Sequence, residues 1–546
     1  MLEKNKLVNF RRSEYRSKGC WGDATLLDFW QMAVRFFPQK TAVSDLQNDS
    51  YSYAELDEAS GRLANFLKDN GIEKGDFISF QIPGWVEFTL IYIACLKVGA
   101  VANPILPCLR TGDVAYILNK CESKIYFCPT IYRKFDYLTM AESLIETSEY
   151  LQRVVTVEKY AENQRKEIKT LQQILQNDPV YEEKNRADAD DLAAVLFTSG
   201  TESHPKGVML THNNIIASER AFAAALNITY LDTIFLPAPT AHAMGFHHGV
   251  TVAFMLGATS VLQDRFKAES ALKLIEEKKC TCSMGPSPFV YDIVHILQRE
   301  TYDISSLRFF ICGGSPIPRY MFKEAESVGI KMLGVYGATE SVPHATHRLD
   351  DVAEKIISTD GRAVADIEIK VVNELRQPVM CGIEGEEASR GPNVFIGYFK
   401  EPELTERVFD SDGWYYSGDF CIMDKDGYLK ITGRKKDIII RGGENLSSVE
   451  IEHILLQHPN VKESAIVGMP DSRLGERICA YVALHDTDKS LLIKDVQDFF
   501  AANKIAKCKW PERIEIVKSL PRTASGKVRK FLLRDDIKAK LNSLSS

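Results

Sequence analysis

The 546-residue chain has no excess of basic residues: 67 Lys+Arg stand against 74 Asp+Glu, a formal net charge of −7. General nucleic-acid binding needs a basic footprint, so no nucleic-acid partner is expected. There is no disulfide pattern either. The 12 cysteines are scattered from Cys20 to Cys508, in a chain long enough to build a core without staples. The close pair Cys280 and Cys282 has no second pair to complete a zinc site and reads as two small buried side chains. A long uninterrupted apolar run is also missing. The longest stretch, Phe88 to Leu106, is broken by Lys97 and by Asn103-Pro104. That pattern predicts a buried helix leading into a strand, not a membrane span. The first residues, MLEKNKLVNFRRSEYRSKG, carry charge with no apolar segment behind it, unlike a signal peptide. No internal repeat or low-complexity tract is present. These absences predict a cytoplasmic protein in a reducing compartment, with peripheral membrane contact and oligomeric state left open.

What is present is ordinary for a folded protein. Apolar residues make up 45% and charged residues 26%, which excludes a disordered chain. Short β-branched runs such as Phe77–Phe80 and Lys124–Phe127 alternate with helical patterns such as Tyr53 to Leu67, which Ser52 and Glu55 open as a capping box. Strand–helix alternation predicts an α/β fold of several mostly parallel sheets covered by helices, with ligands beyond the carboxyl ends of the strands. The polar segment Lys159 to Arg186 reads as a surface excursion. From about Gly433 the texture changes to a compact α+β unit of about a hundred residues, a normal domain size. The expected domains are 1–435 and 436–546, with the boundary near Lys436.

Four segments carry chemistry. In VLFTSGTESHPKGVMLTH (195–212), a buried-strand pattern runs into Thr198, Ser199, Gly200 and Thr201, then Lys206. Glycines and successive N–H groups can cradle phosphate oxygens, although there is no G-K-[ST] ending. A surface turn explains that segment equally well. In GVYGATES (334–341), Tyr336 can stack on a purine, Thr339 can bind phosphate and Glu340 can hold Mg²⁺. Alone, it is as readily a solvated strand end. In GWYYSGDFCIMDKDGYLKITGRKKD (413–437), Asp419 and Arg434 sit where a carboxylate can hold ribose hydroxyls, though turn aspartates in a hairpin give the same pattern. In LPRTASGKVRK (520–530), Lys527 follows Ser525-Gly526, a pattern also expected of a basic tail.

In this order and spacing the four motifs resemble the adenylate-forming acyl-CoA synthetases, over about Trp21 to Lys530. The stretches LAAVLFTSGTE, KGVMLTHNNI, GEEASRGPNVF and GWYYSGD are most similar to bacterial short- and medium-chain fatty-acid–CoA ligases. The resemblance implies a large domain, a small mobile one, and two half-reactions: a fatty acid attacks the α-phosphate of ATP, then CoA takes the acyl group. It implies a phosphate loop of Thr198, Ser199, Gly200, Thr201 and Lys206. It places Tyr336 and Gly337, with backbone at Gly313, Gly314 and Ser315, around adenine. It also places Thr339 on phosphate, Mg²⁺ at Thr201 and Glu340, and ribose at Asp419 and Arg434. Lys527 is the expected catalytic cation, Lys436 the hinge, and Gly442 and Gly443 part of the pantetheine channel.

By the same resemblance His242, in PAPTAHAMGFHHG (237–249), gates the carboxylate. That segment has no acidic residue to pair with an ammonium, which disfavours α-amino acids, and Ala243, Met244, Gly245 and Phe246 suit an alkyl chain. His247-His248 form a weak metal-ligand set. One departure stands out. The family loop usually reads T-S-G-T-T-G-x-P-K-G, whereas this chain has Glu202 and Ser203 at the fifth and sixth positions. If the sixth position takes positive φ, serine there costs roughly 1 kcal/mol or more. The alternatives are a CoA ligase for a carnitine-like or aryl acid, acyl transfer to a carrier protein, and an acyl-adenylate binding protein without turnover.

Overall fold

The computed structural model describes residues 6–159, 168–176, 186–198, 205–314, 317–441, 444–471, 474–486, 490–503, 505–523 and 526–545. The alternation produces two large sheets. In the six-stranded sheet, Val101–Pro104, Phe77–Phe80, Ile125–Pro129 and Arg153–Val157 run parallel, Leu192–Thr198 joins them in the same direction, and Lys206–Thr211 closes one edge antiparallel. In the nine-stranded sheet the parallel centre includes Thr233–Leu236, Cys282–Gly285, Phe309–Cys312 and Met332–Ala338. The ends of these strands carry the glycine-rich and hydroxyl-rich turns. That is where ligands sit in open parallel sheets.

Local signals act as expected. Ser52 Oγ accepts the Glu55 N–H, Glu55 returns a bond to the Ser52 N–H, and the helix Tyr53–Asp69 follows. Its Leu56, Leu63 and Leu67 are fully buried, each contributing roughly 1.5–3 kcal/mol of transfer free energy. The apolar stretch forms the helix Val86–Val98, buried on every face, and stops at Gly99 with φ 69° before the strand Val101–Pro104. Glu87 and Lys97 survive there because Lys159 and Asp57 neutralise them. Among the described residues no helix is long and apolar enough to cross a membrane.

Two features depart from expectation. Lys159 is not at the surface: its side chain is 6% exposed and pairs with Asp45, Asp49 and Glu87. Leu171 and Ile174 of a short helix are likewise buried, so the Lys159–Arg186 segment is anchored where it is described. A third, wholly antiparallel sheet of Glu368–Val372, Glu384–Arg390, Tyr415–Met423 and Leu429–Arg434 lies between the parallel sheets and the small domain in chain order.

The small C-terminal domain has its own core. Its sheet contains Ile438–Arg441, Glu444–Ser447, Val461–Asp471, Gly475–Leu484 and Arg513–Ile516, with helices Ser448–Leu455 and Ile493–Ala502. The basic segment near Lys527 is no solvated tail. It leads into the helix Lys530–Ser545, whose Leu533 and Ile537 pack on Val467, Cys479 and Tyr481. Leu533, Ile537 and Leu541 recur every four residues, the signal for that helix.

Candidate active site

The site grows from three strand ends. Leu192–Thr198 pairs with Lys206–Thr211 so that Thr198 faces Lys206, which brings the two ends of the hydroxyl-rich loop together. Ser199, Gly200, Thr201, Glu202 and Ser203 lie outside the described residues. The Lys206 ammonium sits 5.7 Å from the centroid of the Tyr398 ring. The Tyr398 hydroxyl donates to Glu340 Oε1 at 2.8 Å, and the Phe395 N–H holds the Glu340 carbonyl. A phosphate-type cation and an acidic metal-type ligand therefore meet across one phenol.

The second strand end is Met332–Ala338. Its Tyr336 is buried, and its hydroxyl donates to Asp419 Oδ2 at 3.0 Å. Burial raises the Tyr336 pKa well above its ordinary value, and the Asp419 and Glu387 carboxylates add to it, so the hydroxyl keeps its proton. Antiparallel pairing puts Asp419 opposite Arg434, whose Nε lies 2.8 Å from Asp419 Oδ1. Thr339 and Glu340 form the turn toward Ser341–Thr346, and a Cβ on Gly337, near the end of the strand before it, would lie 3.1 Å from the Ser341 carbonyl. Beside them, a Cβ on Gly313 would fall 2.6 Å from Val335, and Gly314 has φ 81°. Only glycine fits that close approach of backbone to the tyrosine strand. Ser315 lies outside the described residues.

The third end is the loop before the π-helix Met244–Thr251. His242 Nδ1 accepts the Met244 N–H at 3.3 Å, which leaves the ring proton on Nε2. Burial, reinforced by the Lys527 charge, lowers the His242 pKa to about 4, so the ring is neutral near pH 7. His247 and His248 have the carboxylate partner that the local sequence does not show. Glu219, on the helix His212–Leu226, takes His247 Nδ1 at 3.2 Å and His248 Nδ1 at 3.0 Å. Among the described residues no group of three or more His, Cys, Asp or Glu is placed to hold a metal ion.

Lys527 joins these elements from the small domain. Gly526 takes φ 84°, and a Cβ there would touch Pro286 of the large domain at 3.4 Å. The turn is closed by the Thr523 N–H to the Lys527 carbonyl at 2.7 Å and by the Lys527 N–H to Thr523 Oγ1 at 3.1 Å. The Arg434 charge, with burial, lowers the Lys527 pKa to about 8, while Asp419 and Glu340 oppose the shift. Arg434, Asp419, Glu340 and His242 are therefore all within electrostatic reach of one ammonium. Lys436 lies in the 3₁₀ turn Lys435–Asp437, and nothing of its side chain is described. Gly442 and Gly443 lie outside the described residues, between the paired strands Ile438–Arg441 and Glu444–Ser447.

Sequence reasoning thus named Asp419 and Arg434 of the Tyr336 cluster but missed Tyr398, Glu387, His344 and Glu219. The first two stood in quoted or adjacent stretches without a motif of their own. Glu219 and His344 become visible only through burial and pairing across the fold.

Residues 30–399 match the AMP-binding enzyme family, and residues 450–527 match the AMP-binding enzyme C-terminal domain. The chain is 52% identical over 531 residues to the medium-chain fatty-acid–CoA ligase of Escherichia coli K12, covering 97% of this chain and 94% of that one. It is 30% identical to the vibriobactin-specific 2,3-dihydroxybenzoate-AMP ligase of Vibrio cholerae, covering 96% and 95%. Among solved structures, ATP-bound MatB from Rhodopseudomonas palustris superposes with a TM-score of 0.85 at 27% identity, covering 94% of this chain and 99% of that one.

Proposed function

Since the chain belongs to the AMP-binding enzymes, we propose that it activates a fatty acid of short to medium chain with ATP and passes the acyl group to CoA. The products are acyl-CoA, AMP and pyrophosphate. The carrying observation is the cluster in which Asp419 meets Tyr336 at 3.0 Å and Arg434 at 2.8 Å, with Gly526, next to Lys527, set against Pro286 of the large domain. The 52% identity with a medium-chain fatty-acid–CoA ligase supports the substrate class. The neutral His242 and the apolar run around Met244 suit a carboxylate followed by an alkyl chain.

The physical difficulty is an anion attacking an anion, so catalysis rests on positioning and on charge stabilisation. Tyr336 packs against adenine, with Gly313, Gly314 and Gly337 leaving room for it. Asp419 and Arg434 hold the ribose. The loop Thr198–Thr201 with Lys206 and Thr339 receives phosphates, and Lys527 offsets the charge that grows between carboxylate and α-phosphate. His242 closes over the acid. Glu340 fits Mg²⁺: one oxygen is held by Tyr398, and the other has no hydrogen-bond partner among the described residues. A hard carboxylate oxygen, with Thr201, water and phosphate oxygens, is a normal Mg²⁺ environment. The ion would supply charge neutralisation on the phosphates.

Lys527 and the phosphate loop belong to different domains, and the two half-reactions need different groups beside the acyl carbon. We assign domains 1–435 and 436–546, with Lys436 as the hinge and the Gly442-Gly443 turn lining the pantetheine channel once the small domain turns. The test is pyrophosphate release across butyrate to palmitate, with and without CoA. Acid-dependent release peaking at medium chains, with thioester formed only when CoA is added, is expected. Release with no fatty acid in the series would overturn the reading.

A further inference from the structure

Beneath the nucleotide residues lie two groups that this chemistry does not use. Glu387, on Glu384–Arg390, and His344, on Ser341–Thr346, are both fully buried. His344 Nδ1 lies 3.0 Å from Glu387 Oε1, while Glu387 Oε2 lies 3.3 Å from the Tyr336 hydroxyl. The same hydroxyl lies 3.0 Å from Asp419 Oδ2 and 3.4 Å from Ser417 Oγ. Ser417 is committed elsewhere: its hydroxyl donates to the Glu387 carbonyl at 3.0 Å and accepts the Asp419 N–H at 3.1 Å. Tyr336 therefore has one proton and two carboxylates within reach. Asp419 meets Arg434 through one oxygen and Tyr336 through the other.

A buried carboxylate is costly unless it is paired. His344 satisfies only one oxygen of Glu387, and the second points at Tyr336. We propose that Glu387 and His344 are positioning residues that form a hydrogen-bond switch behind the ribose. When ribose hydroxyls donate to Asp419, the Tyr336 O–H turns from Asp419 to Glu387. Asp419 then accepts the ribose without competition, and the Tyr336 hydroxyl and Glu387 Oε2 satisfy each other. His344 fixes the Glu387 carboxylate so that Oε2 stays beside Tyr336. The two acceptor distances differ by 0.3 Å (3.3 against 3.0), so rotation of the C–O–H torsion suffices, and the proton stays on Tyr336 throughout. This inference rests on the reading of Asp419 as the ribose-holding group.

The test compares ATP with 2′,3′-dideoxy-ATP by calorimetry. The variant is His344→Val with Glu387→Leu, which removes both buried polar groups together so that neither is left unpaired. Wild type is expected to bind ATP more tightly than the dideoxy nucleotide. The double variant is expected to lose about tenfold in ATP affinity with dideoxy-ATP affinity unchanged. In a Tyr336→Phe background, where there is no proton to redirect, the same pair of substitutions is expected to cost nothing further. Equal loss for both nucleotides would reduce the pair to a structural role, and unchanged ATP affinity would overturn the switch directly. A wild type that does not distinguish the two nucleotides would remove the Asp419 reading and the switch with it. If the double variant does not fold, the near-isosteric Glu387→Gln carries the same comparison with a smaller loss of the same sign.

Discussion

On the large-domain side of the site Asp419, Arg434 and Glu340 already have partners. Tyr336 donates to Asp419 at 3.0 Å, Arg434 pairs with Asp419 at 2.8 Å, and Tyr398 donates to Glu340 at 2.8 Å. On the small-domain side, Lys527 Nζ has no hydrogen-bond or ion-pair partner among the described residues, and a neighbouring positive charge depresses its pKa. A partnered group is preorganised and holds a ligand in one geometry. A charge brought in without a partner has its interaction still to make, and only interactions stronger in the transition state than in the ground state accelerate a reaction. Under the proposed function, the large domain serves binding and the small domain rate.

The sharpest way to break that division is Lys527→Ala. Adenylation, read as ATP–pyrophosphate exchange, is expected to fall by at least ~10²–10³, by analogy with losing one preorganised donor. ATP affinity by calorimetry is expected to move only a few-fold. Near-normal exchange would end the assignment, and a large loss of ATP affinity would erase the contrast between the two sides. Next in size is Lys436→Pro, which fixes φ at the proposed hinge. Thioester formation from preformed adenylate is expected to slow by roughly tenfold or more, with adenylation affected much less. Equal losses in both half-reactions would show that the small domain does not turn there.

A smaller effect tests the electrostatics. The role proposed for Lys527 needs its protonated form, and its pKa is lowered to about 8, chiefly by Arg434. The kcat/KM for adenylation reports the free enzyme and is therefore expected to fall as pH rises through about 8. Arg434→Gln removes the main depressing charge and is expected to move that alkaline limb upward, alongside weaker nucleotide binding. An unmoved limb would mean that burial, not Arg434, sets the lysine.

The large-domain half of the site was legible in sequence where a group stands near a strand end before a glycine, as Tyr336 does, and less so at Asp419, which lies in the middle of Tyr415–Met423. Parallel sheets announce themselves through strand–helix alternation. The antiparallel sheet around Asp419 and Glu387 did not, because its half-buried strands carry glutamates and serines, and Gly385 is needed where a Cβ would lie 2.3 Å from the Val372 carbonyl. Tyr398 was unreadable for a different reason. Its value lies in joining Lys206 to Glu340 across segments distant in the chain. The terminal helix was readable from its four-residue repeat, yet the basic run before it suggested a tail. Buried histidine–carboxylate pairs have no local signature, because each partner comes from a separate element and neither position shows periodicity alone.

The smallest expected effect on activity comes from Glu219→Gln, a large-domain substitution that tests whether full partnering means support and not chemistry. Glu219 accepts from Ser218 Oγ at 2.8 Å and from both imidazoles, and a carboxylate only accepts, so His247 and His248 each carry a proton on Nδ1. Burial alone would raise the Glu219 pKa, but the two imidazoles outweigh it and bring it down to about 2, below the ordinary value of 4.5. A depressed carboxyl stabilises the fold above its unfolded pKa and stops doing so as pH falls through the folded one. Near pH 7, Glu219→Gln is therefore expected to cost about 2 kcal/mol in denaturant unfolding. The gap to wild type should narrow between about pH 4.5 and 2, as wild type loses the same contribution. Because the clamp holds the π-helix behind His242 and does not itself line up with Lys527, kcat for adenylation at pH 7 is expected to stay within a few-fold of wild type. A loss of rate with no loss of stability would move Glu219 from the supporting set to the reacting one, and the large domain would then contribute more than binding.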